Sequence, residues 1–87
     1  MSFCEFDTVR VTRLLSPTRY VSSSSDPSIL PAVGDEGTVI DIQPGEYGVE
    51  DVDRNGYTRW FAYFTAEELT LVHRVSKDSP TSPSNER

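Results

Sequence analysis

The chain contains few side chains of the kinds that perform catalysis or bind metals. Cys4 and His73 are its only cysteine and its only histidine, and they lie near opposite ends of the sequence. A structural zinc site needs four Cys or His ligands, and a catalytic cysteine needs neighbours that lower its thiol pKa. Neither residue has such neighbours in the sequence. We therefore expect no disulfide, no bound metal or cofactor, no catalytic residues and no enzymatic activity.

The segment from Asp51 to Gly56 resembles the first half of an EF-hand calcium loop. Oxygen-bearing side chains occupy its positions 1, 3 and 5, and glycine occupies position 6. Position 12, where such a loop requires a bidentate glutamate, is Ala62. The dipeptide Asn55-Gly56 between two strand patterns is also a strong signal for a tight β-hairpin. The sequence favours the hairpin over calcium binding.

Aromatic residues are concentrated in one short segment. Five of the nine aromatic residues lie within residues 57–64. Successive side chains of a strand point to opposite faces, so both faces of a strand at 57–64 would be aromatic. One face would carry Trp60, Ala62 and Phe64. The other would carry Tyr57, Arg59, Phe61 and Tyr63.

Two interpretations of this second aromatic face stay open. It could be core that a long loop covers through Tyr20 and Leu30, because a small domain needs most of its apolar residues for its core. It could instead be a contact surface, because Trp, Tyr and Arg dominate the binding energy of protein interfaces. The sequence does not settle which face points inward, because one β-bulge reverses the assignment. The contact-surface interpretation predicts these binding residues: Tyr20, Tyr57, Arg59, Phe61 and Tyr63.

The charge of the chain indicates the kind of partner. Eight Lys and Arg residues against 14 Asp and Glu residues give a net charge of −6, and residues 26–53 contain eight acidic residues and no basic one. Nucleic-acid binding requires basic residues that neutralise phosphates, so the charge disfavours it. We predict an unidentified protein partner. The alternatives are a nucleic-acid-binding barrel that uses Arg10, Arg13 and Arg59, and an acidic protein that neutralises a basic partner through residues 35–53.

Five short strand patterns would position these residues, at 8–12, 37–42, 47–53, 57–64 and 70–73. Pro, Gly and Ser residues mark a long loop at 16–36 between the first two. Thr65 and Glu68 have the spacing of a capping box, which predicts one helical or 3-10 turn before the last strand. The pattern predicts an all-β fold, a small five-stranded antiparallel barrel.

The length of 87 residues favours a single domain, which we place at residues 1–75. Residues 76–87 contain no apolar side chain and are predicted to be a disordered tail. No apolar stretch approaches the roughly 20 residues that a membrane-spanning helix needs. The N-terminal residues lack the pattern of a signal peptide. We therefore expect a cytoplasmic monomer that does not contact membranes.

Three segments carry a further pattern: DTVRV at 7–11, GDEGTVIDI at 34–42 and AEELTLV at 66–72. Their order resembles that of SH3-like barrels of the KOW-like type. It is similar to small bacterial SH3-like proteins of unknown function and, more distantly, to electron-transport accessory barrels such as the small peripheral photosystem I subunit. The resemblance covers about residues 6–73 and implies the fold. It implies no binding residues, because it consists of glycines and strand residues.

Overall fold

The structure is a computed structural model that describes residues 2–16, 19, 21–22 and 28–74. Its regular elements are strands, apart from one 3-10 turn, so the predicted all-β class is confirmed. The elements in chain order are β1 (Thr8–Val11), β2 (Val21–Ser22), β3 (Glu36–Gln43), β4 (Glu46–Val52), β5 (Thr58–Phe64), the 3-10 turn (Ala66–Glu68) and β6 (Leu69–His73).

The strands form one antiparallel sheet in the order β2-β5-β4-β3-β1-β6. This differs from the predicted five-stranded barrel in two ways. The sheet has six strands, because the two-residue strand β2 forms inside the predicted loop and pairs with β5. The sheet is also not closed, since β2 and β6 are its two edges. A strand of two residues is too short to show a period in the sequence, so periodicity did not predict β2.

The core lies on one side of this sheet. Its side chains come from every strand except β2 and from the segment before β1. The described residues include no helical layer over this side. The buried apolar residues are Phe3, Val9, Val11, Val39, Val49, Trp60, Ala62, Phe64 and Leu69. The inward face of β5 is therefore the one that carries Trp60, Ala62 and Phe64.

Two hairpins join β3, β4 and β5. In the first, Gly45 has a φ of 80°, as expected for a Pro-Gly turn with glycine at its second central position. The second is the predicted Asn55-Gly56 hairpin, but its loop has three residues. The Asp53 N–H donates to the Tyr57 carbonyl at 2.9 Å. Of the three loop residues, 54–56, only Gly56 has a positive φ, 89°. This is the geometry of a type I turn followed by a glycine bulge.

A second irregularity offsets the extra turn residue. Val52 pairs with Thr58, whereas Asp51 pairs with Trp60, so Arg59 is an inserted bulge residue. The two insertions together restore the register of a two-residue hairpin loop for the rest of β4 and β5. Trp60 therefore points into the core.

The 3-10 turn before β6 confirms the capping-box prediction. The Thr65 N–H donates to the Glu68 carboxylate at 2.9 Å, so Glu68 reaches back to the start of the turn as the pattern requires. Leu69 then resumes an extended conformation and enters β6.

Some predictions fall outside the described residues. They concern the tail at 76–87, Tyr20 and the serine-rich segment 23–27. Among the residues that are described, no helix combines the length and the hydropathy needed to cross a membrane.

Candidate functional site

The side of the sheet opposite the core carries two rows of paired residues across β3, β4 and β5. Residues that pair directly across antiparallel strands point to the same side of a sheet. We call these six residues the outer face. The first row is Thr38, Glu50 and Phe61, and the second row is Asp41, Gly48 and Tyr63.

Gly48 shapes the outer face because it places no side chain there. The ring of Phe61 occupies the space instead: a Cβ built on Gly48 would lie 2.8 Å from Phe61 Cζ and 3.0 Å from Asp41 Cβ. Glycine within a strand often marks such a close approach. Phe61 therefore lies across the sheet, over the middle strand of the outer face.

Phe61 and Tyr63 form an aromatic pair on this surface. Their ring centroids are 5.2 Å apart and their planes cross at 81°, which is the edge-to-face arrangement that aromatic rings favour. Both side chains are half-buried, although they lie on the side of the sheet away from the core. The pair therefore presents apolar surface to solvent.

Tyr63 also binds a carboxylate across the strand between them. Its hydroxyl donates to Asp41, and the Gln43 side-chain amide donates to the same carboxylate at 3.0 Å. These bonds from Tyr63 and Gln43 hold the pKa of Asp41 below its ordinary value. Asp41 therefore carries its negative charge at neutral pH.

Glu50 is the second carboxylate of the outer face. It pairs directly with Phe61 across β4 and β5, and it accepts a hydrogen bond from the Thr58 hydroxyl. Asp41 and Glu50 thus both accept bonds from neutral donors. Among the described residues, neither takes part in a salt bridge.

Four other carboxylates of the described part each bind an arginine. Three of these carboxylates are buried, and only Glu36 is exposed. The three pairs of buried carboxylates balance charges inside the fold, whereas the exposed Arg10–Glu36 pair lies on the outer side of the sheet, next to Thr38 along β3. The pairs are Arg10–Glu36, Arg19–Glu68, Arg59–Asp51 and Arg74–Asp7.

The buried carboxylates differ in how well their partners compensate burial. Burial raises the pKa of Asp7, but hydrogen bonds from Arg74 and from the Cys4 N–H outweigh this effect, so its pKa is lowered. Burial likewise raises the pKa of Glu68, and bonds from Arg19 and two backbone N–H groups more than reverse it. At Asp51 burial prevails over the attraction of Arg59, and its pKa is raised.

The structure brings together only part of the predicted binding set. Phe61 and Tyr63 contact each other on the outer face. Tyr57 precedes β5 and is 71% exposed. Arg59 is the bulge residue, and its guanidinium binds Asp51 at 2.5 Å, so simple alternation does not describe its position. Tyr20 lies outside the described residues.

The predicted set omitted Asp41, Gly48 and Glu50 from this surface. A sequence signal for two of them exists. The two-residue Pro44-Gly45 turn places Gln43 opposite Glu46, and counting back two positions on each strand gives Asp41 opposite Gly48. The signal for Glu50 is weaker, because its pairing with Phe61 depends on the two offsetting insertions in the second hairpin.

The acidic alternative and the calcium alternative both need carboxylates that converge. Asp51 is buried and bound to Arg59. Asp53 accepts bonds from the Asn55 N–H at 2.8 Å and the Tyr57 N–H at 3.0 Å, which stabilise the turn. Of the three neighbouring acidic residues Glu50, Asp51 and Asp53, only Glu50 lies on the outer face. Within the described ranges, no group of three or more potential metal ligands occurs.

The arginines named for nucleic-acid contact are mostly engaged. Arg10 binds Glu36 at 2.5 Å, and Arg59 binds Asp51, while Arg13 is exposed. Each ion pair cancels charge that a phosphate contact would use. The described arginines therefore offer little net positive surface for a nucleic acid.

The described part of the predicted loop lines a groove, and its Leu30 belongs to that groove. A cavity of about 300 Å³ is lined by Leu14, Ser16, Arg19, Val21, Leu30 and Pro31. Leu30 remains 59% exposed at its rim. Arg19 binds Glu68 and lies 4.4 Å from the ring centroid of Phe64, so this groove borders the core side of β5.

Comparison of the chain with protein-family models, with curated proteins and with solved structures found no match. The candidate site is therefore supported by the geometry of the chain itself.

Proposed function

We propose that this chain is a non-enzymatic protein-binding module that contacts its partner through the outer face of β3, β4 and β5. One observation carries the proposal. The Phe61–Tyr63 pair is half-exposed on the side of the sheet opposite the core, with charged residues around it. Aromatic side chains of this kind supply much of the binding energy of protein interfaces.

The energetic reason is the apolar area that the pair leaves in water. Removing apolar surface from water contributes about 25 cal/mol per Å², so a partner that covers the two rings gains stabilisation without unfolding the sheet. In this proposal Tyr57 belongs to the same contact surface, which then extends toward the hairpin turn. Tyr57 and Phe61 are four residue steps apart along the chain, a distance of roughly 13 Å.

We also propose that the sheet is an SH3-like fold of the KOW-like type. The support comes from the order of the connections: a long first connection, two tight hairpins and a 3-10 turn before the last strand. In a barrel of this class, the edges β2 and β6 would approach each other. Nuclear Overhauser contacts between the backbones of β2 and β6 would support this fold, and contacts of β2 with β5 alone would contradict it.

The binding function can be tested by site-specific photo-crosslinking in the cells that make the protein. Phe61→p-benzoylphenylalanine places the reactive group on the outer face and keeps an aromatic ring there. The control is Val72→p-benzoylphenylalanine on β6, at an exposed position. We expect crosslinks to another protein from position 61 and not from position 72. Equal crosslinking from both positions, or none from position 61, would contradict the proposal.

A second variant separates binding from folding. Tyr57 is 71% exposed, so Tyr57→Ala should leave the dispersed amide NMR spectrum of the folded chain unchanged. It should reduce the crosslinking yield from position 61 if the contact surface extends to the turn. Loss of the folded spectrum would show instead that Tyr57 supports the fold.

A further inference from the structure

Six carboxylates of the described part differ in the kind of partner they bind. Asp7, Glu36, Asp51 and Glu68 each bind an arginine. Asp41 and Glu50, on the outer face, accept hydrogen bonds from Tyr63, Gln43 and Thr58 instead. A neutral donor orients a carboxylate without cancelling its charge. The outer face therefore holds two oriented negative charges that no described cation balances.

The aromatic pair is adjacent to both of these charges. Glu50 is directly opposite Phe61, Asp41 is two strands from Tyr63, and the Phe61 ring lies over Gly48 in the middle strand. The face of an aromatic ring attracts a cation through its quadrupole. The same few residues thus offer ring surface and carboxylate oxygens to one group.

From this charge complementarity we infer that the outer face binds an arginine side chain on an exposed basic segment of the partner protein. A guanidinium is planar, so it stacks on an aromatic ring while its edge donates to a carboxylate. A lysine ammonium makes only one of these contacts well. The inference rests on the proposed function and adds the chemistry of the partner to it.

The size of the outer face agrees with a segment of a few residues. Three strands spaced about 4.8 Å apart span roughly 10 Å from Asp41 to Tyr63. An arginine side chain laid across Phe61 therefore reaches either carboxylate. Glycine neighbours in the bound segment would let its backbone approach the sheet.

The test uses the full ¹⁵N-labelled chain and three synthetic peptides of the repeat Gly-Xaa, with arginine, lysine or glutamine at Xaa. We expect the arginine peptide to shift the amide signals of Gly48, Phe61 and Tyr63. The lysine peptide should bind more weakly, and the glutamine peptide should not bind. Raising the salt concentration from 0.05 to 0.5 M should lower the affinity for the arginine peptide several-fold, because salt screens exposed charges.

Two double variants with equal net charge control for long-range attraction. Asp41→Asn with Glu50→Gln removes the charges of the outer face and keeps its hydrogen-bond acceptors. Glu5→Gln with Glu67→Gln removes two exposed charges outside the sheet. We expect the first double variant to lower the affinity for the arginine peptide about tenfold, or about 1.4 kcal/mol. The second double variant should lower it less than twofold. Equal weakening by both pairs would overturn the inference.

The remaining outcomes separate this inference from the proposed function. If the glutamine peptide shifts the same signals as the arginine peptide, the surface binds protein but does not select a cation. If no peptide shifts these signals while position 61 still crosslinks to a protein, the arginine chemistry is wrong and the binding surface stands. If crosslinking from position 61 also fails, both proposals fall.

Discussion

The two faces of β5 are both aromatic, yet they have different surroundings. Trp60 and Phe64 are buried, and each pairs with a residue of β4 whose side chain also points inward, Asp51 and Tyr47. Phe61 and Tyr63 are half-buried and pair with Glu50 and Gly48. An aromatic residue in a strand is thus not identified as core by its type. The side of the sheet to which it points, which the register of the second hairpin sets, distinguishes core from surface.

The carboxylates inside the fold and those on the outer face also differ, in the kind of partner that they bind. The three buried carboxylates, Asp7, Asp51 and Glu68, have guanidinium partners, which offset the cost of removing a charge from water. Those on the outer face have neutral donors and keep their net charge. Three arginines thus stabilise buried charges of the fold, whereas the charges of Asp41 and Glu50 remain for another molecule to bind. The following predictions test this division, from the largest expected effect to the smallest.

The largest effect should come from truncating the inward ring. Phe64→Ala should lower the free energy of unfolding by about 4 kcal/mol, because it leaves a cavity in the core and removes the ring beneath Arg19. Phe61→Ala should cost about 1 kcal/mol. Urea unfolding at pH 7 measures both values. If Phe64→Ala unfolds the chain, Phe64→Leu should still cost more than Phe61→Leu, and equal costs would contradict the division.

The next effect concerns the buried ion pair. Glu68→Gln should lower the free energy of unfolding by about 3 kcal/mol, because it leaves Arg19 buried without a counter-charge. Glu67→Gln on the same turn is exposed and should cost less than about 0.5 kcal/mol. Urea unfolding of the two variants provides the comparison, and similar losses in both would contradict a structural role for the pair.

The same variant has a predicted pH dependence. Bonds to Glu68 hold its pKa in the folded chain below the ordinary 4.5, so the folded state binds fewer protons than the unfolded state. The stability that this charge contributes is present above about pH 4.5 and is lost as the pH falls through the folded pKa. Between pH 5 and 3, the wild-type chain should therefore lose more stability than Glu68→Gln. A parallel loss in both would show that other carboxylates control acid unfolding.

A smaller effect should follow from filling the space over the middle strand. Gly48→Ala should cost about 1–2 kcal/mol, because the new methyl group would lie within 2.8 Å of the Phe61 ring. In a Phe61→Ala background, the same change should cost about 1 kcal/mol less, because the clashing ring is absent. A double-mutant cycle from urea unfolding gives this coupling. Additive effects would show that Phe61 does not lie over Gly48.

The smallest effect should come from one hydroxyl of the outer face. Tyr63→Phe removes a donor to Asp41 and should cost less than about 1 kcal/mol, because water can replace the bond. The pKa of Asp41 should rise toward its ordinary value. A carboxyl ¹³C NMR titration measures this, with the pKa of Asp7 as an internal control that should not change. An unchanged pKa at Asp41 would exclude the bond in solution.

The sequence predicted the regular parts of this molecule because they depend on local signals. Alternation in β1, the Pro44-Gly45 turn and the Thr65–Glu68 spacing each act within a few residues, and all three were confirmed. The strand β2 has no such local signal, because its two residues become a strand only by pairing with β5. Which face of β5 points inward depends on the bulge at Arg59. The sequence could not predict this bulge, because arginine is not a residue type that indicates one. The outer face was found only through its aromatic residues, since its carboxylates come from two other strands.

The bulge at Arg59 has a consequence for anyone who alters the hairpin. If Arg59 paired with Asp51 instead of forming a bulge, every later side chain of β5 would exchange sides. Phe61 and Tyr63 would then enter the interior, and Trp60 and Phe64 would be left in water. Deletion of Arg59 alone should therefore preserve the side of every later residue of β5, because Thr58 and Trp60 would still face Val52 and Asp51 in a regular ladder.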